Sequence, residues 1–182
     1  MALLRSRAKR MHNMIDGILQ YSRIGRVREN REKVDLNIII HDVIDALSPP
    51  KHIKLEIQAH LPILWGEKLR IYQVIQNLLD NAIKYNDKKQ GLIQFSYQDK
   101  VTHWCFCLKD NGVGIDEMHK EKIFQLFQTL SPKDQLESTG VGLSIIEKTI
   151  NNWGGEIWLE SELGEGSQFF FTFPKHEGGV SE

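Results

Sequence analysis

The spacing of apolar positions divides the chain into a leading helix and a mixed helix-and-strand body. From residue 3 to 24, Leu4, Ala8, Met11, Ile15, Ile18 and Ser22 recur at alternating intervals of four and three, the seam of a coiled coil or helical bundle. Met14 and Leu19 widen that stripe, as a four-helix bundle requires. Gly25 and the charged run 26–33 end the regularity and read as a linker. Asp35 is placed to cap a helix with Ile39, Ile40, Val43, Ile44 and Leu47 as its apolar positions, stopped by Pro49 and Pro50. Ile53, Leu55 and Ile57 alternate with Lys54, Glu56 and Gln58, a half-buried strand. The pattern continues with a helix over 67–85 and strands over 92–98 and 101–109 around Asp99 and Lys100. A helix from Thr139 stops at Gly154 and Gly155, and a hairpin pairs 156–161 with 167–173. These elements suit an α+β fold, a two-layer α/β sandwich with helices on one sheet face and a more solvated opposite face. The expected division is helix 1–28, linker 29–35, body 36–177 and a tail 178–182, with fraying after His176.

Composition changes this picture little. Hydrophobic residues at 41% are enough for a core, and a net charge of −1 gives no bulk field for nucleic acid or an anionic membrane. No apolar run approaches the roughly 20 residues that span a bilayer, and the basic N-terminus lacks a signal peptide's apolar segment, so a cytoplasmic location is expected. Cys105 and Cys107, two apart on a strand, share a face without metal-ligand companions and read as reduced packing residues. His41, His52, His60, His103, His119 and His176 are scattered and suggest no metal site.

The candidate chemistry begins at Asn77. On a helix, Asn77, Asn81, Lys84 and Tyr85 fall at i, i+4, i+7 and i+8 and share one face, while Leu78, Leu79 and Ile83 turn inward. Two carboxamides and an ammonium are costly to bury unpaired, so they either cap a neighbouring element or hold a ligand that carries phosphate and a metal ion. Asp110 closes a strand whose apolar positions are Trp104, Phe106 and Leu108, and Gly112 and Gly114 follow where the chain must turn or let a ligand approach. Ser138-Thr139-Gly140-Val141-Gly142-Leu143 then opens a helix, and a glycine-rich loop at a helix N-terminus offers free N–H groups to an anion.

These motifs, in this order, resemble the catalytic domain of sensor histidine kinases, in the superfamily that also holds DNA gyrase B, the Hsp90 chaperones and MutL. Residues 77–85 resemble its N box, Asp110 to Gly114 its first glycine box, Gly140 to Gly142 its second, and Ile123-Phe124-Gln125-Leu126-Phe127 the F box of its nucleotide lid. Gly164-Glu165-Gly166-Ser167 and Phe169 to Phe173 match its closing hairpin, so the resemblance covers roughly 35–175. It implies a Bergerat-type ATP-binding fold with ATP and Mg²⁺ as cofactors. It also implies that Asn81 holds the metal, Asn77 a water or a phosphate, and Lys84 phosphate charge, with Tyr85 beside the ribose or base. Asp110 would accept the adenine amine, which guanine's carbonyl could not satisfy, though Asp also commonly caps a turn. Thr172 would make a water-linked adenine contact, and Gly112, Gly114, Gly140 and Gly142 would admit the nucleotide to the backbone. Ile115, Thr139, Val141 and Leu143 flank those contacts, and Phe124 and Phe127 would anchor a lid over about 116–138. Where relatives carry a lid Arg, this chain has Thr129, as in a phytochrome-like subset; Lys133 is a candidate replacement at the γ-phosphate.

Position 77 also separates transfer from hydrolysis. ATP-hydrolysing relatives carry a water-activating glutamate there, and Asn77 cannot act as a base, which suits a kinase. The leading helix resembles the second helix of a dimerisation and phosphotransfer domain, whose first helix would carry the acceptor histidine outside this chain. His12 lacks the acceptor pattern, being followed by Asn13 with Asp16 at the fourth position. The implied partners are that histidine-bearing helix, a response-regulator receiver domain and a second copy in a homodimer. The alternatives are a serine kinase of the anti-sigma type and a non-catalytic nucleotide-binding signalling module.

Overall fold

A computed structural model describes residues 2–26, 30–128 and 140–175, without the side chains of residues 2–6 and 10. The expected lid segment with Lys133 and Thr139, and the tail from His176, lie outside the described residues. Helix α1, Ala2–Arg23, is followed by strand β1, Glu32–Asp35, helix α2, Leu36–Leu47, strands β2, Ile53–Ile57, and β3, Ile63–Gly66, and helix α3, Lys68–Lys84. Next come β4, Gly91–Asp99, β5, His103–Asp110, helix α4, Gly142–Asn152, β6, Ile157–Glu162, and β7, Gly166–Pro174. No helix among the described residues is long and apolar enough to cross a membrane.

The main sheet runs β2-β4-β5-β7-β6, parallel between β2 and β4 and antiparallel elsewhere. Its inner face carries Ile93, Phe95, Phe106, Leu108, Phe169, Phe171 and Phe173, and it is covered by α2, α3 and α4 through Ile39, Val43, Ile75, Leu78, Leu79, Ile146 and Ile150. The aromatic rings tile this layer, with Phe106 stacked on Phe171 at 4.9 Å and on Phe95 at 5.8 Å. The outer face is less covered, as the alternation predicts. Cys105 and Cys107 sit there, half-buried and unbridged, and burial pushes both thiols up from their ordinary range.

Local signals explain the element ends. The Asp35 side chain accepts the Asn37 N–H at 2.9 Å and caps α2, and Ser48, in the left-handed region at φ 46°, closes it before the prolines. One part of the architecture departs from the sequence reading. β1 and β3 pair antiparallel as a separate two-stranded sheet, where the pattern gave a linker over 29–35 and no strand at 63–66. Four residues each are too short to establish a period, and the outward positions of β3 are the apolar Ile63 and Trp65 rather than polar residues.

Candidate functional site

α3 is amphipathic in the required sense. Val74, Ile75, Leu78 and Leu79 are buried against the sheet, and Asn77, Asn81, Lys84 and Tyr85 stand half-buried along a cleft of about 1030 Å³. Among the described residues neither Asn side chain makes a hydrogen bond, so the capping alternative finds no capped element. Lys84 lies 5.1 Å from the centroid of the Tyr85 ring and leans along the same wall.

Three other walls complete the cleft. The first is the strand end, Asp110, and the loop that carries Gly114 and Ile115. Asp110 is buried at 8% exposure, and its Oδ1 accepts the Gly112 N–H at 2.8 Å. Burial raises its pKa, opposed by backbone N–H groups of Gly112 and Ser167. The residue therefore caps its turn and faces the cleft at once. The second wall is the start of α4, where Gly140, Val141, Gly142 and Leu143 line the cleft and no acidic side chain occupies the first turn. Unpaired N–H groups at such a terminus favour an anion. The third is β7 with Ser167 and Phe169, backed by Ile123.

Hydrogen bonds fix these walls to one another. Asn111 Oδ1 accepts the Leu92 N–H at 2.7 Å and the Asn86 Nδ2 at 3.0 Å, and its own amide donates to the Gln90 carbonyl at 3.1 Å. Val113 N–H donates to the Tyr85 carbonyl, and Gly164 N–H to the Val113 carbonyl. The end of α3, the loop after β5 and the β6–β7 turn are thus tied to one another. The Asn-Asn pair was not singled out in the sequence, because its partners lie 25 residues apart.

Several expected contributors take different roles. Gly114, at φ +69°, and Gly140, at φ +66°, are required by the chain itself: a Cβ would stand 2.0 Å from the Glu162 carbonyl oxygen at the first and 2.6 Å from that of Gln128 at the second. Gly112 is likewise closed in, by the Tyr85 carbonyl oxygen. Only Gly142 is open, its nearest neighbour being Asn77 Oδ1 at 3.4 Å from such a Cβ, so it brings the α4 terminus against the α3 stripe. Thr172 does not reach the cleft. It sits on the outer sheet face opposite Cys105, and its hydroxyl accepts the Glu156 N–H at 2.8 Å. Ser167 occupies the cleft position instead, opposite Asp110 and 2.9 Å from the Ser161 hydroxyl. Phe124 packs edge-on against Phe169 at 6.5 Å, but Phe127 is 41% exposed, so its ring is not an anchor. Its backbone is what holds, in the left-handed region at φ 65°, with its N–H donating to the Gly140 carbonyl at 2.8 Å. Thr139 lies outside the described residues. Asn13, Asp16, Gly17 and Gln20 of α1 also line the cleft, which the bundle periodicity gave no reason to expect.

Three comparisons place this geometry. Residues 66–177 match the profile of the histidine kinase-, DNA gyrase B-, and HSP90-like ATPase family. Cyanobacterial phytochrome B of Nostoc sp. (strain PCC 7120) is 41% identical over 169 residues, covering 90% of this chain and 22% of that relative's length. The chain thus spans about a fifth of the curated relative it matches. Among solved structures, the nucleotide-free catalytic domain of histidine kinase ThkA superposes with a TM-score of 0.65 at 30% identity, over 81% of this chain and 97% of that one. Full-length ShkA in complex with AMPPNP superposes with a TM-score of 0.77 over 95% of this chain and 37% of that one, at 23% identity, a likeness of fold. The chain belongs to the histidine kinase-, DNA gyrase B-, and HSP90-like ATPase family, and within it to the sensor histidine kinases.

Proposed function

We propose that this chain binds Mg-ATP in the α3–α4 cleft and transfers the γ-phosphate to a histidine outside these 182 residues, as the catalytic region of a two-component sensor kinase. The observation that carries the reading is the stripe of Asn77, Asn81 and Lys84, without side-chain partners among the described residues other than the Tyr85 ring, facing the start of α4 across Gly142. Carboxamide oxygens, an ammonium and a helix N-terminus are a donor set suited to a metal-bound polyphosphate. Among the described residues no group of three or more His, Cys, Asp or Glu side chains can hold a metal. Asn81 would therefore supply one oxygen ligand, with phosphate and water completing the octahedron. When bound, Mg²⁺ neutralises phosphate charge and fixes its orientation.

The chain's own residues do the rest. Asp110 would take the adenine amine at the far end of the cleft, with Ser167 beside it in place of Thr172, and Ile115 and Phe169 would enclose the base. Lys84 would offset phosphate charge, and the N–H groups from Val141 to Leu143 would fix the phosphate end. Asn77, which cannot remove a proton from water, leaves no base for hydrolysis at that position. In this reading residues 1–28 belong to a dimerisation helix and the catalytic body ends near 177. A receiver domain accepts the phosphate downstream, and the reaction takes place in the cytoplasm.

Asn81→Ala tests the assignment. Calorimetric titration should show magnesium-dependent ATP binding in the parent and none in the variant, with the melting curve unchanged because Asn81 faces the cleft. Binding by the variant within about threefold of the parent would refute the metal role.

A further inference from the structure

The outer face of the main sheet carries two thiols that neither the core nor the cleft employs. Cys105 and Cys107 alternate along β5 with the fully buried Phe106 and Leu108, so both stand on the opposite face, half-buried and unbridged. Register builds a wall on one side of them. Cys107 lies opposite Phe170 on β7, and Phe170 lies opposite Trp158 on β6. Those two rings stack at 5.2 Å, within 8° of parallel, an apolar shelf beside Cys107. On the other side Cys107 faces Ser96 and Cys105 faces Gln98, both on β4. His103 continues the row, but its Nδ1 is engaged with the Thr102 hydroxyl at 3.1 Å.

The spacing decides what the pair can do. Two residues of antiparallel strand separate their Cα atoms by about 6.8 Å, the far limit for a disulfide, and side chains on one pleat stand parallel rather than convergent. A bridge would have to bend β5 at its centre, where it is paired on both sides. A two-coordinate ion asks less, since two metal–sulfur bonds of about 2.3 Å hold the sulfurs about 4–5 Å apart. The donor count selects the ion. Zinc completes a tetrahedron with four ligands, yet among the described residues no group of three or more His, Cys, Asp or Glu side chains can hold a metal. Monovalent copper is soft, prefers thiolate and is satisfied by two. We propose that Cys105 and Cys107 form a site for one soft monovalent cation of the copper(I) class, bound as a linear bis-thiolate beside Phe170 and Trp158. Binding forms two metal–sulfur bonds, breaks two S–H bonds and releases both protons to solvent, with no change of oxidation state. The product carries one negative charge. Burial and the Glu160 carboxylate near Cys107 oppose that charge, whereas Lys100 near Cys105 and Lys109 near Cys107 favour it. The site lies across the sheet from the cleft and does not depend on the nucleotide reading.

The whole chain, reduced and kept free of oxygen, tests this with copper(I) competed against bicinchoninate. The parent should take one equivalent per chain, and X-ray absorption should show two sulfur neighbours in line. Cys105→Ser and Cys107→Ser should each weaken binding at least about a hundredfold, because a hydroxyl is a hard donor, while circular dichroism stays that of the parent. Copper should also protect both cysteines of the parent from iodoacetamide, read by mass spectrometry, so the site stays testable if a serine variant fails to fold. A parent that yields all its copper to the chelator overturns the site, as does undiminished affinity in either folded serine variant. Half an equivalent per chain, or three or more sulfur or nitrogen neighbours, places the ion elsewhere or between two copies and overturns the pair. Alkylation of either cysteine at an unchanged rate with copper bound removes that residue, and the two-sulfur site with it.

Discussion

Asp110 carries two duties that act on its proton in opposite directions. Its burial disfavours the charge, the N–H groups of Gly112 and Ser167 favour it, and burial prevails, leaving the pKa raised. Between the unfolded and the folded pKa the native state holds more protons than the unfolded one, so stability falls as pH rises through that window and stays reduced above it. Asp110→Asn removes the charge while Oδ1 still accepts the Gly112 N–H. The variant should therefore melt at or above the parent's temperature at pH 7, with the gap closing in acid. Its ATP affinity should fall by about 1–3 kcal/mol through the lost charge-assisted bond. Thermal melts at both pH values with nucleotide titrations check this, and a variant clearly less stable at pH 7 contradicts the sign. The Asn stripe of α3 was legible at this scale because the 3.6-residue period alone puts 77, 81 and 84 on one face. Thr172 was misread because the unbroken apolar run Phe169 to Phe171 before it hides which alternate positions face inward. It lies an odd number of residues after Ser167, and on a strand that reverses the side.

Long or strictly periodic elements were readable from the sequence, and the four-residue strands β1 and β3 were not. α3 and β5 each appear within two residues of their expected bounds, because a buried stripe and a clean alternation specify them. β1 and β3 are visible only as a pair. They make a small layer beneath which Val34 and Leu64 are buried, while Trp65 looks outward at 48% exposure. Leu64→Ala should cost about 2–4 kcal/mol, whereas Trp65→Ser should stay within about 0.5 kcal/mol, as denaturant midpoints will show. The loop after β5 is a second case in which non-local bonds decide the structure. Asn111, in the first glycine loop, ties down the segment between α3 and β4 through Asn86 and Gln90 and the start of β4 through Leu92, three hydrogen bonds in all, so Asn111→Ala should cost about 2 kcal/mol and lower the melting temperature by several degrees. The same loop positions Asp110, so nucleotide affinity should fall with it. A fall in stability with affinity unchanged would separate the network from the site.

At the scale of the molecule, two apolar faces of one helix point to two associations. Gly17, Tyr21 and Ile24 are covered by α4, while Met11, Ile15, Ile18 and Leu19 remain between 47% and 64% exposed, on the side where the bundle periodicity placed a partner. The sequence announced the second face through its spacing; the first it concealed, because a single glycine carries no periodic signal. An exposed stripe of this kind is the surface on which a histidine-bearing helix would pack. His12 on α1 pairs instead with Asp16 at 3.3 Å, one turn away and three-quarters exposed. We therefore expect the isolated chain to bind Mg-ATP without labelling itself, and to transfer phosphate in trans when a fragment carrying the complementary histidine helix is supplied. Incubation with radiolabelled ATP decides the matter. Acid-labile, base-stable label on the isolated chain that disappears in His12→Ala would place the acceptor within these residues and overturn the assignment, whereas label confined to the added helix supports it.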